Sequence, residues 1–172
     1  MRYIIAEGPD GSGKSTLLQE ISNITGKEVI HSGGPIKSQS EYYERIELIE
    51  SLLPNYLIDR SVHVSEAVYS ILRGGLQISW SEYIEVLSKL KKLNPLIIYC
   101  RLKDSEEMMS LMKTEGKEYK SNEHTQNVRN EYMKIIERYD YIIEFLESMD
   151  FDVIHFNWKE DSFEDLINCI LQ

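Results

Sequence analysis

The chain is short of the residues that would build a disulfide scaffold, a metal staple, a membrane span or a nucleic-acid-binding face. Its 172 residues include two cysteines, Cys100 in an apolar run and Cys169 in the last helical pattern. Neither belongs to a C-x-x-C pair and the four histidines are scattered, so both thiols read as core residues in a reducing compartment and a metal site is not indicated. No apolar stretch reaches the ~20 residues that a bilayer span needs. The first residues enter a strand pattern with no signal peptide ahead of it, so the expectation is a cytoplasmic protein without a membrane partner. Positive charge is scarce, with 19 Lys+Arg against 29 Asp+Glu and a net charge of −10. A protein that grips long nucleic acid usually shows a basic face, so this balance favours a small anionic ligand held by a few positive groups. Much of the negative charge (Glu41, Glu44, Glu47, Glu50, Glu144, Glu147) falls on helical stretches and reads as solvated face. Repeats, low-complexity tracts and linkers are missing too, and residues 1–172 fit one domain, since domains cluster near ~100–150 residues and run to ~250.

What the chain does have is a glycine-rich loop in a telling context. Gly8-Pro9-Asp10-Gly11-Ser12-Gly13-Lys14-Ser15-Thr16 follows the apolar run Tyr3–Ala6 and opens a helix-period segment with Leu17, Leu18, Ile21 and Ile24. Gly8, Gly13, Lys14 and Ser15 satisfy G-x-x-x-x-G-K-[ST] between a strand and a helix, the setting a phosphate-binding P-loop requires. Glycines let backbone N–H groups curl around phosphates, and the helix aims its free N–H groups and positive dipole end at the same anion. In such a loop Lys14 reaches the β- and γ-phosphates and the Ser15 hydroxyl holds Mg²⁺. The motif therefore predicts binding of a nucleoside triphosphate with its Mg²⁺.

Five β-prone runs alternate with helical patterns: Tyr3–Ala6, Glu28–His31, Tyr56–Asp59, Leu96–Arg101 and Asp152–Phe156. Alternation of this kind implies parallel pairing with right-handed crossovers, and short, nearly all-apolar strands imply cover on both faces. Helices are predicted over 14–24, 40–52, 62–73, 79–93, 104–114, 122–148 and 162–171, the last with Ser162 as its N-cap. The longest would run ~40 Å. His31-Ser32-Gly33-Gly34-Pro35 and the polar stretch 113–122 break the pattern. In open parallel sheets ligands gather outside the carboxyl ends of the strands. That rule gathers the P-loop, the 31–35 loop, Asp59-Arg60 and Arg101–Lys103 around one cleft.

Asp59 and Arg60 close the third run. A carboxylate there can hold Mg²⁺ or orient an acceptor, and the guanidinium can clamp a phosphate in bidentate fashion. Together EGPDGSGKST, DRSVHVSEAVYS and EHTQNVRNEYMKIIERYDYII resemble the thymidylate-kinase-like P-loop kinases, especially the small deoxynucleoside monophosphate kinases of bacteriophages. The resemblance implies a three-layer α/β P-loop nucleoside/nucleotide kinase fold, a five-stranded parallel sheet flanked by helices with a short lid. It implies ATP and Mg²⁺ as cofactors and a nucleotide as acceptor. ATP would be held by Gly8, Asp10, Gly11, Ser12, Gly13, Lys14, Ser15 and Thr16, with Lys14, Asp59 and Arg60 catalytic and Ser15 and Asp59 at the metal. Asp10 matches the position facing the acceptor's 3′-hydroxyl and Arg60 the arginine on the acceptor phosphate. Ser65, Glu66 and Tyr69, with Arg73, match the helix lining the acceptor pocket. Related kinases often pair through helices, and the 62–93 region offers a surface for a homodimer.

Departures from the family pattern mark where this chain must differ. The Arg-Glu-Pro-Gly-Gly sequence common after the second strand is replaced by His31–Pro35, without either charge, and no arginine lies within the P-loop. A second positive group would come from Lys117 or Lys120 in the lid candidate 113–122, or from Arg101. Tyr42, Tyr43, Tyr69 and Trp80 are the aromatics available to stack on an acceptor base, and Asn157–Glu160 with Trp158 should lie near the donor base. Three reactions remain open. They are transfer to a deoxynucleoside monophosphate, transfer to a hydroxyl of a nucleoside or of a modified base such as hydroxymethyluracil in phage DNA, and an ATP-hydrolysing switch or regulatory module. The lack of a carboxylate after the second strand tilts toward the first, and the lack of Asn-Lys-x-Asp speaks against a GTPase.

Overall fold

The computed structural model describes residues 3–31, 36–52, 55–72, 74–104, 106–107 and 122–171. Five parallel strands, β1 (Ile4–Glu7), β2 (Glu28–His31), β3 (Tyr56–Asp59), β4 (Leu96–Cys100) and β5 (Asp152–Phe156), form one sheet in the order β2-β3-β1-β4-β5. Around them lie α1 (Lys14–Thr25), α2 (Gln39–Ser51), α3 (Val62–Tyr69), α4 (Trp80–Lys92), α5 (Asn122–Ser148) and α6 (Phe163–Leu171). Most of the expected helix over 104–114 (all but residues 104, 106 and 107), the lid candidate 113–122 apart from its last residue, the 32–35 loop and Arg73 lie outside the described residues.

Alternation along the central strands explains the three layers. Ile5, Ile58 and Ile97 face one side, where α2, α3, α4 and α5 cover them. Ile4, Ala6, Leu57, Leu96 and Ile98 face the other, where they meet Leu17, Leu18 and Ile21 of α1 and Leu166, Ile167 and Ile170 of α6. Each fully buried Leu or Ile adds ~1.5–3 kcal/mol, so both faces are strongly anchored. The helices after β1 and β3 thus pack on opposite faces although these strands are neighbours. That divergence opens a crevice at their carboxyl ends. Cys169 departs from expectation. It is exposed, because the buried stripe of α6 runs through 166, 167 and 170.

The helix ends set α1 apart. Ser38, Ser61 and Ser79 each accept a backbone N–H at the start of α2, α3 and α4, and Glu82 returns a bond to Ser79 in a capping box. Ser162 does the same for α6, accepting from Asp165 N at 3.3 Å. Such caps are worth ~1 kcal/mol each. The N-cap of α1 is Gly13, in a left-handed conformation (φ 86°) with no side chain to close the helix. Its free N–H groups stay available to an outside anion.

Helix α3 stops earlier than the 62–73 expected. It gives way to a 3₁₀ turn over Ser70–Leu72, with Ser70 Oγ donating to Ala67 O (2.9 Å) and Gly75 N to Ser70 O (3.0 Å). α5 spans 27 residues and is tied to α3 by Arg138 Nε donating to Ala67 O at 3.2 Å. Among the described residues no helix is long and apolar enough to cross a membrane.

Candidate active site

A cleft of about 680 Å³ opens at the carboxyl ends of the strands, within the range usual for small-molecule sites. The loop after β1 and the first turn of α1 form its floor through Asp10, Gly11, Gly13, Lys14, Ser15 and Thr16. Asp59 and Arg60 wall one side, and Phe156, Trp158 and Phe163 the other. β3 and β5 stand three strand spacings apart in the sheet, which separates these walls by ~14 Å.

Two glycines permit the loop's shape. A Cβ on Gly8 (φ 140°) would lie 2.3 Å from Cys100 O, and one on Gly13 would lie 2.7 Å from Trp158 Cδ1. The loop is therefore pressed against β4 on one side and against the indole on the other. Lys14 is buried and folds back on the loop, its Nζ donating to Pro9 O (2.7 Å) and Ser12 Oγ (3.3 Å). Burial first, and then the charge of Arg60, hold its ammonium down at about 8. An anion placed in the cradle would restore its charge preference. Ser15 and Thr16 are exposed on the cleft floor.

Arg60 sits just past β3 in a left-handed turn, φ 60°, rare for a residue with a long side chain. Its backbone N donates to Ala6 O at 3.0 Å. The guanidinium lies over the loop, with Nε donating to Gly8 O at 3.4 Å and Nη2 paired with the Asp10 carboxylate, while its Cζ stands 5.9 Å from the Tyr69 ring centroid. Asp59 Oδ2 meets His31 Nδ1 at 2.9 Å, and Asp59 Oδ1 is buried with no protein partner. A buried carboxylate oxygen left without a donor suits a cation, and with the exposed Ser15 hydroxyl it fits the mixed ligand set of a phosphate-bound Mg²⁺. No group of three or more His, Cys, Asp or Glu converges on a metal site among the described residues.

Other expected residues lie elsewhere. Ser65, Glu66 and Tyr69 share α3, but none lines the cleft. Glu66 is buried and accepts from Gln77 N at 3.3 Å. Tyr69 touches the site only from beneath Arg60. Arg101 is held by Asp140 of α5 (Nε–Oδ1 3.2 Å), an oxygen that also accepts from Tyr99 Oη at 2.5 Å. Tyr42 is fully buried, Tyr43 donates to Glu82 at 3.4 Å, and Trp80 packs against Tyr83 and Phe145. None of these three offers a face to the cleft. Lys117 and Lys120 belong to the segment outside the described residues.

No protein-family model matches the sequence, and no curated protein does. Solved structures do match. The YorR protein of Bacillus subtilis, crystallised in complex with phosphorylated GDP, superposes with a TM-score of 0.76 at 18% identity over 98% of this chain and 93% of that one. A deoxyadenosine kinase from M. mycoides with bound dATP superposes with a TM-score of 0.63 at 18% identity over the whole of both chains. The fold is that of the P-loop nucleotide kinases.

Within this P-loop kinase fold, two groups escaped the sequence reading. Glu7, the last residue of β1, is wholly buried, and its Oε1 accepts from Ser61 N at 2.6 Å. A charged residue ending an otherwise apolar buried run was its signal, since glutamate is almost never fully buried without a partner. Tyr132 of α5 donates its hydroxyl to Asp10 O across 122 positions of sequence, which no local pattern announces.

Proposed function

We propose that the protein transfers the γ-phosphoryl group of ATP to a deoxynucleoside monophosphate, thymidylate or a close analogue, giving the diphosphate. The observation that carries this reading is the placement of Arg60 on a forced turn beside the phosphate loop, across the cleft wall from the aromatic side. One cationic cradle for a triphosphate and one guanidinium for a second anion are what two facing phosphates require.

In this reading Lys14 and the open N-terminus of α1 bind the β- and γ-phosphates. Arg60 exchanges its bond to Asp10 for the acceptor phosphate, and the Asp10 carboxylate faces the acceptor sugar. The phosphate oxygen of the acceptor is already anionic, so the residues orient it and offset charge and no strong base is needed. Ser15 and Asp59 would hold Mg²⁺, which supplies charge neutralisation between the phosphates when bound. Residues 1–172 act as a single unit in this scheme, with Trp158 against the donor base.

A second reading, transfer to a hydroxyl, draws on the His31–Asp59 pair, because a histidine oriented by a carboxylate at the end of β2 is a competent proton acceptor. The deoxyadenosine kinase among the similar structures supports keeping it. A coupled assay across dTMP, dUMP, hydroxymethyl-dUMP, dCMP, dGMP, free thymidine, deoxyadenosine and modified duplex DNA separates the two. Diphosphate formation from monophosphates supports the first. Turnover of nucleosides or DNA alone replaces it with the second, and ATP hydrolysis without any acceptor overturns both.

A further inference from the structure

We propose that Glu7 is a positioning residue for phosphoryl transfer, its buried carboxyl fixing the β3–α3 turn that lays Arg60 over the phosphate loop. The inference rests on the reading of Arg60 as the clamp for the acceptor phosphate.

Three observations converge on it. Ala6 pairs with Asp59 in the sheet register, so the next residue on β1 faces the turn that follows β3. There Glu7 Oε1 accepts from Ser61 N at 2.6 Å, while Ala6 O accepts from Arg60 N at 3.0 Å. Two adjacent residues of β1 thus hold two adjacent amides, and residue 60 between them is kept at φ 60°. A left-handed residue with a full side chain is disfavoured and persists only where its neighbours enforce it. Ser61 in turn caps α3, its Oγ accepting from His63 N at 3.1 Å, so the anchored amide also sets where that helix begins.

The chemistry of the buried group fits a neutral anchor. Glu7 Oε2 has no protein partner, and burial pushes the carboxyl up to about 8. Near neutral pH most of it carries its proton, and Oε1 remains an acceptor for Ser61. Glutamine reproduces that acceptor without a charge. Leucine fills similar space and leaves the amide unmet.

The experiment compares wild type, Glu7→Gln, Glu7→Leu, Arg60→Ala and the Glu7→Leu/Arg60→Ala double variant, with Glu7→Ala standing in should the leucine fail to pack. Steady-state kinetics use ATP and the best monophosphate of the acceptor panel, dTMP first, alongside amide hydrogen exchange at Ser61 and melting curves. Glu7→Leu is expected to raise the acceptor KM about 10- to 100-fold, the size of one or two lost charge-assisted hydrogen bonds, with the KM for ATP near wild type. It should add nothing once Arg60 is alanine, and Ser61 exchange should quicken. Glu7→Gln should restore acceptor KM and Ser61 protection. Independent losses from Glu7→Leu and Arg60→Ala, a glutamine variant as impaired as the leucine, or unchanged Ser61 exchange in Glu7→Leu each overturn the positioning role alone. Unaltered acceptor kinetics in Arg60→Ala overturn it together with the monophosphate reading.

Discussion

The two walls of the cleft are held by opposite means. Around the phosphate loop and the β3 side, charged groups are buried or half-buried and fastened largely to main chain. Lys14 bonds to Pro9 O, Glu7 to Ser61 N, and Arg60 lies against Gly8 O and Asp10. On the β5 side, Trp158 is exposed, and the loop that carries it is joined to the segment after β4 by two surface ion pairs, Lys103–Glu160 and Lys159–Glu107. Buried polar contacts are costly to leave unmade, while exposed pairs contribute little. The β3 wall is therefore the better preorganised of the two and the β5 wall the more adaptable, which suits the proposed division between a phosphate clamp and a contact with the donor base.

Substitutions that unbuild one wall test this contrast. The largest effect is expected from Lys14→Ala, which should lower kcat by several orders of magnitude in single-turnover assays while the circular dichroism spectrum stays native. Intact turnover would remove the phosphate-cradle assignment. Next, Arg60→Ala should raise the acceptor KM about 10- to 100-fold with a smaller change in KM for ATP. A third change acts on the opposite wall. Trp158→Ala should weaken donor affinity only about 3- to 10-fold, measured by calorimetry, and leave the acceptor KM alone. Equal damage from the arginine and tryptophan changes on both substrates would erase the distinction between the walls.

The buried wall should also show itself in stability against pH. Burial raises Glu7 from 4.5 to about 8, so the folded protein holds a proton that the unfolded chain releases. Its contribution is complete below about 4.5 and is lost as pH climbs through 8, on the order of a few kcal/mol. His63 runs the other way. Burial lowers it from 6.5 to about 4, so stability present above 6.5 is lost as pH falls toward 4. Urea melts from pH 4 to 8 should show the alkaline decline in wild type and its flattening in Glu7→Gln. A parallel decline in both proteins would assign it elsewhere. The smallest effect is reserved for the exposed wall, where Lys103→Ala should leave the melting temperature within error of wild type.

Much of the β3 wall was legible in sequence because its residues are contiguous. The loop from Gly8 to Thr16 and the pair Asp59-Arg60 each sit at a strand end, where strand-to-helix punctuation marks them. The strand positions followed from apolar runs, with shifts of one residue at β1 and β4. What escaped depends on register and long-range pairing. That Glu7 meets Ser61 follows from Ala6 standing beside Asp59, a fact of the sheet rather than of either segment. Arg101 looked available because it ends a strand, but a helix some 40 positions later brings Asp140 to it. The early end of α3 turned on one serine hydroxyl bonding back to its own helix. Periodicity does not encode that choice.

The closeness of the Trp158 ring to Gly13 has a practical corollary. The chain has only two tryptophans, and Trp80 is packed against Tyr83 and Phe145, away from the cleft lining. With Trp80 changed to phenylalanine, emission from the remaining indole becomes an optical gauge of whatever settles on the loop, readable in a stopped-flow cell without any label.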